Sequence, residues 1–191
     1  MRSSLNRRKV VEELLEDRGD LLVVTGLGSP AWDAAHAGDH PLNFYLWGGM
    51  GQAAMVGLGL ALSQPRRRVL VLTGDGEMLM GIGALATIGV QRPGNLAVVV
   101  LDNGRYGETG MQPSHTSFGV DLAGVAQACG FPETFRFTRR EDLPVLRNAI
   151  HSGSGPTLAV IEVSAEPHPL VLPPKEGRIL KNRFRGALLG S

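Results

Sequence analysis

Short hydrophobic runs recur along the chain, separated by longer stretches whose hydrophobic residues have helical spacing. Four of these runs are rich in Val and Leu and show little polar alternation, which is typical of strands buried on both faces of a parallel sheet. A fifth run, Thr134–Phe137, has a weaker pattern. The four stronger runs are Leu21–Thr25, Arg68–Thr73, Leu96–Leu101 and Thr157–Val163.

Helical patterns lie before and between these runs. Val10, Val11, Leu14 and Leu15 predict an amphipathic helix over residues 4–17, capped by Ser3 or Ser4 and ended near Gly19. Alternation of strands and helices favours an α/β fold, with an open, mostly parallel sheet, helices on both faces and ligands beyond the carboxyl ends of the strands. The other predicted helices are Ala31–Ala37, Gly51–Ser63, Met78–Val90, Asp121–Cys129 and Glu141–His151.

The chain of 191 residues is long enough for one domain with its own hydrophobic core. We predict that residues 1–166 form this domain. Residues 167–191 are rich in proline and then in basic residues, and they show no clear periodicity. We expect this tail to pack on the domain or on a partner.

Composition excludes several classes of function. A net charge of +1 and an aromatic content of 5% argue against nucleic-acid binding. The single cysteine, Cys129, excludes an internal disulfide and a cysteine-rich metal site. The most apolar stretch is too short and too interrupted to span a membrane, and the polar start lacks the apolar core of a signal peptide. We therefore expect a cytoplasmic protein.

Polar residues stand at the ends of two neighbouring predicted strands. Gly74-Asp75-Gly76 follows one strand and Asp102-Asn103-Gly104 follows the next, with 25 residues between Gly76 and Asp102. That length fits a helix and a strand, so Asp75 and Asn103 are expected to face one ion. Carboxylate, amide and carbonyl oxygens suit Mg²⁺. A Gly-Asp-Gly alone is more often a plain turn, but the pairing with Asn103 favours a site.

The glycines around Asp75 suit phosphate binding. Without Cβ atoms, Gly74 and Gly76 allow the backbone N–H groups of Gly74 to Glu77 to approach phosphate oxygens where a helix begins. The metal and a diphosphate would then share one site.

This spacing resembles the thiamine-diphosphate enzymes, whose cofactor-binding domain has Gly-Asp-Gly, about two dozen residues and an Asn-containing strand end. The resemblance implies thiamine diphosphate and Mg²⁺ as cofactors, with the side chains of Asp75 and Asn103 and the carbonyl of Arg105 as the protein ligands of Mg²⁺. The chain departs from the pattern in having Asp102 where the family often has Asn, and Glu77 where a small residue is often found.

A second match is the segment FYLWGGMG, residues 44–51, at the start of a helix. In similar proteins a bulky residue at the place of Met50 bends the cofactor, while the Gly48 carbonyl and the Met50 N–H bind the aminopyrimidine. The bend brings a proton acceptor next to the carbon that must ionise. The alternative is that Met50 only fills the core of a buried helix.

The loop after the first strand, TGLGSPA, is similar to a dinucleotide fingerprint. That fingerprint needs an acidic residue about 20 positions later, and the segment from Leu42 to Thr73 contains no Asp or Glu. Thr25, Gly26, Gly28 and Ser29 are instead candidates to bind the far phosphate of the cofactor at a helix start. A purely structural turn is the competing interpretation.

The long polar loop from Tyr106 to Gly119 follows the Asn103 strand end, and such loops are often functional. Tyr106, Thr109 and Gln112 are candidates to line the cofactor or the substrate. His115 is a candidate for proton transfer near neutral pH, although a solvated loop histidine is an equally good interpretation.

The chain most resembles the thiamine-binding subunit, or C-terminal half, of sulfopyruvate and phosphonopyruvate decarboxylases. Residues 43–62, 74–89 and 101–115 carry this resemblance most specifically. It implies decarboxylation of a small 2-oxo acid. In similar enzymes the catalytic glutamate belongs to a separate pyrimidine-binding domain, for which we find no second α/β unit. A partner subunit in a hetero-oligomer is therefore expected, and this chain is expected to be inactive without it.

Three alternatives stay open at this point. A subunit of a 2-oxo acid oxidoreductase would use the same cofactor but pass electrons to clusters held elsewhere. A carboligase would add a second carbonyl substrate. A non-catalytic module would bind the cofactor without turnover. For an acid with a sulfonate or phosphonate tail, Arg105 or the basic tail are candidate contacts.

Overall fold

The computed structural model of the chain describes residues 5–190, and its centre is a six-stranded sheet in which every pairing is parallel. The strands are β1 (Leu22–Thr25), β2 (Asn43–Tyr45), β3 (Val69–Gly74), β4 (Leu96–Asp102), β7 (Glu133–Phe137) and β8 (Thr157–Glu162), and a separate ribbon pairs β5 (Arg105–Tyr106) with β6 (Gln112–Pro113). The helices are α1 (Arg7–Leu15), α2 (Ser29–His36), α3 (Ala53–Ser63), α4 (Asp75–Met80), α5 (Gly83–Gln91), α6 (Leu122–Ala128), α7 (Leu143–Ser152) and α8 (Gly177–Leu189).

The strand order is β2-β1-β3-β4-β8-β7. From β1 the chain first runs outward to β2 and then returns to the other side of β1 as β3. The order therefore reverses between β1 and β3, and in open α/β sheets ligands bind at such a reversal, beyond the carboxyl ends of the strands. The two loops predicted to bind phosphate leave the sheet at this place.

Both faces of the sheet are covered, which confirms the predicted fold class. Alternate residues of each central strand point to opposite faces. Val71 and Val98 pack in one core with α3, α5 and α6, while Leu70 and Val99 pack in the other with α1, α2 and α7. None of the helices between residues 5 and 190 is both long enough and apolar enough to cross a lipid bilayer.

All five predicted strands are present, and the sheet has a sixth strand, β2, that the hydrophobic pattern did not predict because it is too short to show one. It is three residues long. The predicted helix Met78–Val90 is also wrong as one element, since the structure has α4 and α5 with a break at Gly81. A Cβ on Gly81 would lie 1.9 Å from the carbonyl oxygen of Gly51, so the close contact of these two backbones fixes the break.

The first helix is shorter than predicted. It begins at Arg7 and ends at Leu15, and the side chain of Asn6 caps it by accepting a hydrogen bond from the Lys9 N–H at 3.1 Å. The predicted caps Ser3 and Ser4 lie outside the described residues.

The tail contains a helix, α8, that its pattern did not predict. Phe184 of this helix packs edge-on against Phe44 of β2, with ring centroids 5.5 Å apart. Arg183 donates hydrogen bonds of 2.6 and 3.0 Å to Asp39. The tail therefore covers the edge strand β2, whose open side would otherwise be free to pair with another chain.

Gly57 and Gly59 of α3 offer a matched test of the helix-to-sheet packing. A Cβ on Gly57 would lie 2.2 Å from Val71 Cγ2, whereas one on exposed Gly59 would meet nothing within 4 Å. We expect Gly57→Ala to lower the free energy of unfolding by about 1–3 kcal/mol through overpacking. Gly59→Ala should raise it by about 0.5–1 kcal/mol through helix propensity. Urea denaturation measures both, and equal effects of the two changes would contradict this packing.

Candidate functional site

A cavity lies at the carboxyl ends of β1, β3 and β4, at the point where the strand order reverses. Gly74 pairs in register with Leu101, so the loops after β3 and β4 leave the sheet side by side. This confirms the predicted adjacency of Asp75 and Asn103. Ten predicted site residues line the cavity: Ser29, Met50, Gly74, Asp75, Gly76, Glu77, Asn103, Arg105, Tyr106 and Thr109.

Asp75 is the first residue of α4 and is 2% exposed. Its carboxylate accepts hydrogen bonds from the Ser114 hydroxyl and from the backbone N–H of Asn103. Burial, together with the nearby charge of Asp102, raises the pKa of Asp75 to about 6. Among residues 5–190 it forms no salt bridge. A cation placed beside it would offset the cost of keeping this charge buried.

Asn103 follows β4, and its side-chain oxygen accepts a hydrogen bond of 2.8 Å from the Arg105 N–H. An amide oxygen has two lone pairs, so one is left for a metal ion. The neighbouring Asp102 has a different role, because its carboxylate accepts bonds of 2.8 Å from the Gly104 N–H and from the Thr116 hydroxyl. Asp102 therefore stabilises the loop through these hydrogen bonds. Asn103, and not Asp102, lines the cavity, although the family often has Asn at the place of Asp102.

At three glycines in the loops around the cavity, a Cβ would lie close to a neighbouring side chain. A Cβ on Gly26 would lie 1.9 Å from Glu77 Oε2, and one on Gly76 would lie 2.7 Å from the ring of Tyr106. Gly28, at the start of α2, has a φ of +76°, and its Cβ would lie 2.3 Å from Glu108 Oε1. Gly76 lines the cavity itself, where the lack of a Cβ leaves its backbone open to a ligand, whereas the Gly26 N–H donates to the Leu72 carbonyl at 2.8 Å.

Glu77 lines the cavity, and hydrogen bonds hold its side chain in place. Its carboxylate accepts hydrogen bonds from the Thr73 hydroxyl and, at 3.2 Å, from the Ala53 N–H at the start of α3. Burial raises the pKa of Glu77. The side chain thus joins the end of β3 to α3, and its backbone N–H is the group that remains for an anion.

Met50 stands at the rim of the cavity with 55% of its surface exposed. The alternative that it fills the core is therefore wrong. Met80, also lining the cavity, is 60% exposed. Two exposed methionines at this cavity form an apolar wall suited to the rings of a ligand.

Six predicted residues do not line the cavity: Thr25, Gly26, Gly28, Gly48, Gln112 and His115. The Thr25 hydroxyl is buried and has no hydrogen-bond partner between residues 5 and 190. Gln112 is turned back onto Thr109, donating to its carbonyl at 2.8 Å. His115 Nδ1 lies 2.8 Å from the hydroxyl of Tyr106, so it meets the cavity only through that residue.

Several lining residues were missed by sequence reasoning, namely Arg7, Leu27, Pro30, Met80, Leu101, Gly107 and Glu108. Most of them are immediate neighbours of predicted residues and follow from the loops already identified. Arg7 is different, because it belongs to α1 and reaches the site only through the packing of α1 on α2. No local pattern marks it.

The residues fit a divalent cation bound together with a diphosphate. Between residues 5 and 190 no group of three His, Cys, Asp or Glu side chains is arranged to hold a metal. Mg²⁺ does not need one, since it takes few protein ligands and completes its shell with phosphate oxygens and water. The buried carboxylate of Asp75 and the closely packed glycines provide both halves of such a site.

Comparison with known proteins identifies relatives. Residues 27–163 match the family "thiamine pyrophosphate enzyme, C-terminal TPP binding domain". The chain is 45% identical to sulfopyruvate decarboxylase subunit beta of Methanothermobacter thermautotrophicus, over 66% of this chain and 68% of that one. With the Methanococcus maripaludis subunit of the same name the identity is 35%, over 96% and 98%. Phosphonopyruvate decarboxylase of Streptomyces viridochromogenes is 42% identical, over 75% of this chain but only 36% of its own.

Solved structures share the fold. Benzoylformate decarboxylase from Polynucleobacter necessarius superimposes with a TM-score of 0.70 at 22% identity, over 85% of this chain. The chain spans 34% of the length of that enzyme. At this identity the likeness concerns the fold alone.

In the absence of metal, the buried charge of Asp75 should make the free energy of unfolding depend on pH. Because the pKa of Asp75 is raised from 3.8 to about 6, the protonated form is favoured by folding. Its stabilising contribution is present below pH 4 and is lost as the pH rises through 6. We expect Asp75→Asn, in EDTA, to be more stable than the unsubstituted chain by up to about 3 kcal/mol at pH 8, with no difference near pH 4.

Urea denaturation at the two pH values measures this difference. Asp20→Asn is the control, because it removes the same charge from an exposed side chain, and the pH dependence of Asp75→Asn is measured against it. A difference for Asp75→Asn that does not change with pH would contradict the raised pKa.

Proposed function

This chain belongs to the thiamine pyrophosphate enzymes, and we propose that it is the thiamine-diphosphate- and Mg²⁺-binding subunit of a 2-oxo acid decarboxylase. The observation that carries the proposal is the buried Asp75, which forms no salt bridge within residues 5–190, beside Asn103 in the cavity at the strand reversal. The relatives named as decarboxylases, including two named as beta subunits, support this reaction class. A sulfopyruvate-like or phosphonopyruvate-like acid is the proposed substrate.

We propose the following division of roles in the site. The Asp75 and Asn103 side chains and the Arg105 carbonyl hold Mg²⁺. Backbone groups of Gly26, Gly28, Ser29 and the segment 74–77 hold the diphosphate, with Thr25 behind them. Gly48 and Met50 bind the aminopyrimidine, and Tyr106 and Thr109 form the wall beyond Asn103.

Bound thiamine diphosphate supplies an electron sink that stabilises the carbanion left when CO₂ departs from a 2-oxo acid. The contribution of this chain is to anchor, orient and shield. The Mg²⁺ ligands and the glycine loops fix the diphosphate end. The exposed methionines Met50 and Met80 supply an apolar wall that excludes water from the reacting end.

His115 and Gln112 are proposed to act at the substrate side of the site. His115 and Tyr106 form a hydrogen-bonded pair at the edge of the cavity. We propose that this pair passes a proton at the substrate side of the site. Gln112 is hydrogen-bonded to Thr109, which lines the cavity.

We propose that a partner subunit with a pyrimidine-binding domain completes the site and supplies the catalytic glutamate, in a hetero-oligomer. Relatives of similar length are named as subunits, whereas the phosphonopyruvate decarboxylase is a longer single chain. Within residues 5–190 there is one six-stranded sheet and no second α/β unit. The exposed Met50 and Met80 give the partner an apolar edge to cover. A cytoplasmic location remains a prediction.

Replacing the proposed metal ligands should weaken cofactor binding. We expect Asp75→Ala and Asn103→Ala each to weaken Mg²⁺-dependent binding of thiamine diphosphate at least about tenfold, since each removes a charged or strongly polar ligand. Calorimetry on the assembled complex measures the dissociation constant. Asn148→Ala, at an exposed asparagine of α7, is the control and should bind normally. Unchanged uptake by both ligand variants would refute the proposed site.

Activity should depend on the partner. With thiamine diphosphate, Mg²⁺ and a 2-oxo acid, the chain alone is expected to release no CO₂ above background, and addition of the pyrimidine-binding subunit should start decarboxylation with release of an aldehyde. Full decarboxylation by the chain alone would overturn the divided site. Anaerobic dye reduction with coenzyme A would indicate an oxidoreductase instead, and a lengthened product would indicate a carboligase.

A further inference from the structure

Arg7 is a buried, positively charged residue that lines the cavity and lies outside the segment that matches the family. It is the first residue of α1, twenty positions before the matched residues 27–163 begin. The residue is only 6% exposed, and yet Arg7 lines the same cavity as Ser29 and Asp75. An arginine in this position is withdrawn from bulk water but open to the site.

The hydrogen bonds of Arg7 do not involve the terminal nitrogens of its guanidinium group. Its Nε donates to Asp33, which is completely buried in α2. The two terminal nitrogens donate to no residue between 5 and 190. Because guanidinium presents five N–H donors in a fixed fork, the outer pair is available to an acceptor in the cavity.

The neighbouring Arg8 shares the same carboxylate. Its Nε donates to Asp33 at 3.1 Å, and its Nη2 donates to the Pro169 carbonyl at 2.8 Å. Two buried guanidinium groups therefore share one buried carboxylate, and neither forms a salt bridge with another residue between 5 and 190. A buried charge without a counterion is costly, so an anionic ligand at the cavity would stabilise the cluster. Arg8 does not line the cavity, which leaves Arg7 as the residue that meets the ligand.

The position of Asp33 fixes the end of the cavity that Arg7 approaches. Asp33 lies one turn after Ser29, where α2 begins. The unpaired N–H groups and the dipole of this helix start already favour an anion. Met50 belongs instead to a different segment, at the start of α3. The cation and the helix start thus converge on the phosphate end of the site.

We propose that Arg7 binds the terminal phosphate of thiamine diphosphate through its terminal nitrogens, a step that rests on the proposed function. Asp33 holds the guanidinium so that its outer edge meets two phosphate oxygens, the paired geometry that arginine makes with phosphate. Residues outside the family segment then contribute directly to cofactor affinity.

The test compares Arg7→Gln with Arg8→Gln, because both lose one bond to Asp33 but only the first lines the cavity. The assembled complex, with Mg²⁺, is titrated with thiamine diphosphate and with thiamine monophosphate by calorimetry. We expect Arg7→Gln to weaken the diphosphate about tenfold or more, while the monophosphate is bound as by the unsubstituted complex. Arg8→Gln should bind both normally, and Arg7→Lys should recover part of the lost affinity.

Thermal unfolding of each variant without ligand checks that the fold is intact. Equal weakening by Arg7→Gln and Arg8→Gln, or equal weakening of the two ligands, would overturn the assignment and leave Arg7 a structural residue. A raised KM for the 2-oxo acid with an unchanged cofactor dissociation constant would also overturn it, in favour of the substrate tail. Failure of the unsubstituted complex to bind the diphosphate would instead refute the proposed function.

Discussion

The parallel pairing of β3 with β4 is the constraint on which the site depends. Because Gly74 and Leu101 are in register, the chain leaves both strands at one edge of the sheet. Asp75 then lies buried beside the backbone of Asn103, and burial raises its pKa because no cation within residues 5–190 neutralises it. An ion bound here would remove an energetic cost that the fold itself creates.

Gly74 and Gly76, on either side of Asp75, form part of the cavity wall. A Cβ on Gly76 would lie 2.7 Å from the ring of Tyr106, and Gly28 has a φ of +76°, so both positions favour glycine. Glu77 shows how an acidic residue is accommodated in such a wall. Its carboxylate is bonded to Thr73 and to the start of α3, away from the place of an anion, and it helps hold the loop that carries the phosphate-binding groups.

Elements outside the matched family segment complete the domain. Helix α8 covers the edge strand β2 through Phe184 and Phe44, and Trp47 donates to the Pro174 carbonyl at 2.8 Å. At the other end of the chain, α1 brings Arg7 to the cavity. The rim at Met50 and Met80 is still exposed, which agrees with a site that a second subunit covers.

The sequence by itself determined the fold class, the central strands and the pairing of Asp75 with Asn103, because buried parallel strands and strand-end glycines leave strong local patterns. It did not predict β2, which is short, or α8, whose few buried contacts were hidden among basic residues. Only the tertiary structure decided that Met50 is exposed, that helix 78–90 is broken at Gly81, and that Arg7 meets the cavity. Each of these depends on contacts between residues distant in the chain, such as Gly81 with Gly51 and Arg7 with Asp33, and no local pattern encodes such contacts.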